Sequence, residues 1–87
     1  MIVTKTWITM IQNPRGKALA FADLTMDDCL VINGARVIDG PHGLFVAMPS
    51  RKREDGAYAD IVHPITTELR NHITEVVLAA YQEALDG

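Results

Sequence analysis

The chain has 87 residues, 48% hydrophobic and 22% charged, with a net charge of -3; this is material for one core, so residues 1–87 are expected to form a single domain, and the composition is not that of a disordered chain. The one cysteine, Cys29, excludes an intramolecular disulfide and fits a reducing compartment. No apolar run approaches the ~20 residues of a membrane span, and Met1 to Lys5 lacks the charged start and apolar block of a signal peptide, so a cytoplasmic location is expected.

Residues Ile2 to Ile11 are rich in β-branched and aromatic types and stop at the turn formers Asn13-Pro14-Arg15-Gly16, which predicts a strand followed by a hairpin turn. From Lys17 to Met26, Ala18, Ala20, Ala22 and Leu24 alternate with Leu19, Phe21 and Asp23, a second strand that Asp27-Asp28 breaks. Cys29 to Ile38 is a third run, and Asn33-Gly34 inside it predicts either a bulge or two shorter strands. A loop is expected over Asp39-Gly40-Pro41-His42-Gly43. The continuous apolar run Leu44 to Met48, closed by Pro49, predicts a strand buried on both faces and placed centrally, with Phe45 in the core. Tyr58 to His63 returns to strand-like alternation, so it is expected to form a hairpin with the preceding strand around the polar tip Ser50 to Gly56.

The period then changes. Leu69, Ile73, Val76, Val77, Ala80, Tyr81 and Ala84 recur at steps of three and four, while Glu68, Asn71, Glu75 and Gln82 lie off that stripe, which predicts an amphipathic helix. Thr66 or Thr67 supplies its N-cap oxygen, Glu68 complements the dipole, and Gly87 follows its end. The expected fold is α+β, an antiparallel β-sheet of about five strands packed against a C-terminal helix.

Catalytic and metal patterns are missing from this sequence. Asp60 and His63 stand three apart on an extended segment and point to opposite faces, and no His-x-x-x-His, Cys-x-x-Cys or Gly-x-Ser-x-Gly spacing occurs. No enzyme activity, cofactor, metal or small-molecule substrate is therefore expected. Cys29 reads as a small hydrophobe filling a core position, and His63 before Pro64 as a hydrogen-bonding group at the corner that leads into the helix.

The densest positive charge is Arg51-Lys52-Arg53, at a hairpin tip from which side chains could reach a phosphate backbone. By itself such a run is more often a solvated turn that discourages edge aggregation, with Glu54 and Asp55 partly cancelling it. Arg70, Asn71 and His72 lie in the first turns of the helix, off the apolar stripe, where Arg and Asn have the geometry to read base edges. Trp7, Phe21, Phe45, Tyr58 and Tyr81 are few and scattered, where a platform for single strands needs several aromatics on one exposed sheet face. Trp7 and Tyr58 could stack on bases, but a subunit contact would use them equally well, so stacking is the lesser expectation.

The blocks Arg36-Val37-Ile38-Asp39-Gly40, Gly43-Leu44-Phe45-Val46-Ala47-Met48-Pro49-Ser50, Asp55-Gly56 and Asp60-Ile61-Val62-His63-Pro64-Ile65, with their spacing, closely resemble the stage V sporulation protein G (SpoVG) family. The resemblance is strong from Arg36 to Ile65 and weaker over Met1 to Met26. It implies a small bacterial cytoplasmic protein that dimerises and binds DNA and RNA as a regulator of gene expression, septation or sporulation-like development. On that basis Arg51, Lys52, Arg53, Arg70, Asn71 and His72 become the candidate nucleic-acid contacts. Many members continue past the helix in an acidic tail, whereas this sequence ends at Asp86-Gly87. The rival expectation is a protein-interaction module that uses strand edges or the Leu78 and Ala79 side of the helix. Self-association is also expected from the short chain itself, which buries a modest share of its surface.

Overall fold

A computed structural model describes residues 1–87. In chain order it contains β1 (Val3–Met10), β2 (Ala18–Met26), β3 (Leu30–Gly40), β4 (Gly43–Ala47), β5 (Ser50–Lys52), β6 (Tyr58–Asp60) and α1 (Thr67–Asp86). The first four strands form an antiparallel meander in the order β1-β2-β3-β4, and β5 and β6 make a separate two-stranded sheet. The fold is therefore α+β, as the change of period from two to 3.6 implies.

Strand β2 supplies the middle of the core because its alternation is the cleanest in the chain. Ala20, Ala22, Leu24 and Met26 are all buried, while Phe21 on the opposite face is exposed. Ala22 lies between Ile8 of β1 and Ala35 of β3. These small side chains leave room above the sheet for Ile73, Val77 and Tyr81, the buried stripe of α1. Leu24 and Val77 are fully enclosed, and burying a side chain of this size is worth about 1.5–3 kcal/mol. The helix covers one face only and touches β1, β3 and β4.

The turns follow from their residue types. Asp27 and Asp28 take left-handed φ values of 49° and 55°, and the Cys29 N–H donates to the Met26 carbonyl at 2.9 Å, a two-residue turn whose twist matches the flanking strands. Aspartate tolerates that conformation better than most residues, and here Asp27 also anchors the N-terminus, its Oδ1 accepting the Ile2 N–H at 2.8 Å. In β3 the register jumps so that Asn33 and Gly34 both face Asp23. This is a single bulged strand. Gly34 has φ 91°, and its N–H donates to Asp23 Oδ1 at 3.1 Å. Thr66 caps α1, its hydroxyl accepting the Leu69 N–H at 3.1 Å, and the Gly87 N–H closes the other end on the Glu83 carbonyl at 2.9 Å.

Five expectations are corrected. Strand β4 lies at the sheet edge, not its centre, because a tight turn lays it directly beside β3 and Pro49 stops it before another strand can pair outside it. Phe45 is consequently exposed on the helix-free face. The loop expected over Asp39 to Gly43 is only Pro41-His42, since Gly40 and Gly43 already pair across the ladder. Tyr58–Asp60 pairs with Ser50–Lys52 and not with the Leu44 run. Cys29 is exposed, not core, because the turn ends on it before β3 enters the sheet.

Candidate nucleic-acid interface

The β5–β6 hairpin carries the basic run. Ser50 pairs with Asp60, Arg51 with Ala59 and Lys52 with Tyr58. Arg51 and Lys52 thus belong to a strand, so they point to opposite faces, Lys52 sharing its face with Tyr58. Arg53 opens the turn, its N–H donating to the Ala57 carbonyl at 2.7 Å while the Gly56 N–H returns to the Arg53 carbonyl at 3.0 Å. Gly56 supplies the φ of 88° that the turn needs. Asp55 is held within the tip, its Oδ1 accepting the Ala57 N–H at 3.0 Å. All three basic side chains are exposed.

Arg70 and Asn71 are also exposed, in the first turns of α1. His72 is not free beside them. It is half-buried, and its Nε2 accepts the Val3 N–H at 3.0 Å, so the ring is turned toward β1 and ties the helix to the sheet. The hairpin group and the helix group stand on different elements, separated in the chain by Ile61 to Thr66. At the corner between them His63 Nδ1 lies 3.3 Å from the Pro64 carbonyl oxygen.

Charge is unevenly distributed. The helix carries Arg70 against Glu68, Glu75, Glu83 and Asp86, so the entire net charge of -3 resides on α1. The other basic residues, Lys5, Arg15, Lys17, Arg36, Arg51, Lys52 and Arg53, all belong to the strands and hairpins, where acids balance them in number. No group of three or more His, Cys, Asp or Glu side chains is placed to hold a metal ion. No helix is long and apolar enough to cross a membrane.

Aromatics that look scattered in the sequence are gathered by the fold on one surface. On the face of the sheet away from α1, Trp7, Phe21 and Phe45 are exposed, together with Lys5 and the half-buried Arg36, whose Nη2 lies 3.5 Å from Ser50 Oγ. The signal was the alternation itself: the partners of the alanines in β2 had to face away from the core.

A family model named SpoVG matches residues 1–83. A septation protein SpoVG by name from Fusobacterium nucleatum is 49% identical over 82 residues, covering 93% of this chain and 88% of its own. One of the same name from Phytoplasma australiense is 43% identical over 87 residues, 100% of this chain and 90% of the relative. Another, from Oceanobacillus iheyensis, is 50% identical over 72 residues, 83% and 75% of the two chains. These names describe septation and no catalysed reaction. With the strand meander, the capped helix and the Gly43 to Ser50 block all in place, the chain belongs to the SpoVG family.

Proposed function

We propose that this protein is a dimeric regulator that binds DNA or RNA in the cytoplasm and acts in septation, gene expression or sporulation-like development. The observation that carries this reading is the exposure of Arg51, Lys52 and Arg53 side by side on one hairpin, where Glu54, Asp55 and Asp60 balance them in number, on a molecule whose net negative charge sits on the helix. The three basic residues contact phosphates, which look alike at every site and so position without specifying. Two such hairpins in a dimer would extend the phosphate track. Arg70 and Asn71 add preference for particular bases from the rigid helix start, against the opposing charge of Glu68 and Glu75. His72 acts by holding β1, not by touching the ligand.

A salt titration of binding to a mixed duplex pool tests the reading. Each phosphate neutralised contributes about -0.9 to the slope of log affinity against log salt, so replacing Arg51, Lys52 and Arg53 by Ala should flatten that slope by up to ~3 per protomer. A protein that shows no salt-dependent binding at the ~10⁻⁴–10⁻⁶ M expected of non-specific association would instead be a protein-interaction module working through the β4 edge or the Leu78 and Ala79 side of α1.

A further inference from the structure

We infer that the helix-free face of the four-stranded sheet is a stacking site for the unpaired bases of a single-stranded nucleic acid. The inference rests on the nucleic-acid reading and names a ligand class and a surface that the basic hairpin alone would not select. Each strand contributes one planar group. Trp7 of β1 pairs with Asp23, one ladder step from Phe21 of β2, which pairs with Thr9. Phe21 is directly opposite Arg36 of β3. Arg36 faces Ala47, and Phe45 of β4 pairs with Ile38 on the next step. Direct and diagonal cross-strand neighbours lie within about 5–8 Å of one another, so Trp7, Phe21, Arg36 and Phe45 form one continuous line across the sheet. Trp7 is 64% exposed, Phe21 45% and Phe45 46%, although a soluble chain of this size has every reason to hide them.

Phe45 is presented, not merely uncovered. Its ring lies over Gly40, where a Cβ would come within 2.8 Å of Cε1. The glycine thus gives the ring a flat seat and leaves nearly half its surface to solvent. Aromatic rings accept any base, and an arginine plane stacks in the same way. Lys5 shares the face, and the Arg36–Ser50 contact joins it to Arg51, the next residue along β5. A strand lying on the rings could therefore carry its phosphates toward the hairpin. Asp23 opposes a phosphate near Trp7, although the Gly34 N–H occupies one of its oxygens. The charged groups decide between occupants. A second copy packed here would bury Lys5, Asp23 and Arg36 in the middle of its interface, where such patches are depleted of charge.

Trp7 is the one tryptophan in the chain, so its fluorescence reports on the face directly. The unmodified protein is titrated with a single-stranded oligothymidine, an abasic oligonucleotide of equal length and a duplex. The expected result is saturable quenching by the single strand and none by the abasic strand. Phe21→Ala and Phe45→Ala should each weaken single-strand binding by about 5- to 150-fold, the range of a lost base–aromatic stack, and leave duplex binding unchanged. Phe45→Leu keeps an apolar contact on Gly40 and serves where Phe45→Ala melts early; it should lose the same affinity. Duplex binding with no quenching by the single strand overturns the stacking site and leaves the nucleic-acid reading standing, whereas failure of all three probes removes both. A fall in molecular mass from dimer to monomer in Phe21→Ala, with single-strand affinity intact, would make the face a contact between copies and overturn the inference.

Discussion

His72 Nε2 accepts the N–H of Val3 at 3.0 Å across 69 residues of sequence, joining the first turns of the helix to the first residue of β1. Removing the acceptor leaves a part-buried donor unpaired, which costs about 1–3 kcal/mol. His72→Ala should therefore lower the melting temperature by roughly 4–8 °C for each kcal/mol lost in a domain of this size. Circular dichroism melts check the first expectation, and nucleic-acid affinity measured well below the melt should match that of the parent. A variant that melts normally and binds poorly would make His72 a ligand contact.

Ala22 is fully buried in the core between Ile8 and Ala35. Ala22→Leu should destabilise the fold by about 1–3 kcal/mol through overpacking. Ala18→Leu, at the half-buried start of the same strand, should stay within about 0.5 kcal/mol. Urea midpoints of the two variants make the comparison.

Cys29 is exposed at the end of the β2–β3 turn. A thiol reagent should titrate one equivalent in the folded protein without denaturant, and Cys29→Ser should shift stability by no more than about 0.5 kcal/mol. A thiol that reacts only after unfolding would return the residue to the core.

Light scattering at micromolar concentration should give twice the 9.6 kDa of the single chain. The triple Ala variant of Arg51, Lys52 and Arg53 should keep that mass, since solvated hairpin charges hold no subunits together. A monomer in both proteins would remove the paired hairpins from the proposed function.

Arg70→Ala combined with Asn71→Ala should narrow the affinity gap between a selected site and a scrambled one, because a good bidentate base contact carries about 1–3 kcal/mol of discrimination. Binding measured on both sites separates readout from positioning. Equal losses on the two would assign these residues to phosphates.

What could be read from the sequence was local. The helix, its cap and the break at Asn33-Gly34 depend on neighbours a few residues away: Ile73, Val77 and Tyr81 of the expected stripe are buried, with Leu69 and Leu78 packed beside them, Thr66 of the two candidate threonines is the cap, and a bulge, not two strands, forms at Asn33-Gly34. What failed was non-local. The run Leu44 to Met48 has the composition of a strand buried on both faces, yet composition does not say that no strand follows β4 on its outer side. Arg51 and Lys52 read as a loop because the pairing of Ser50–Lys52 depends on a partner across the turn. His72 looked like part of the polar helix surface because its acceptor role depends on Val3, at the other end of the chain.

With its negative charge gathered on α1, the protein is an electric dipole as well as a weak anion. Under the proposed function, a polyanion would repel α1 more strongly than the charge-balanced strands and hairpins, so the acidity of the chain would orient each encounter as well as weaken it. Ionic strength should then govern how fast the protein associates as well as how tightly it holds.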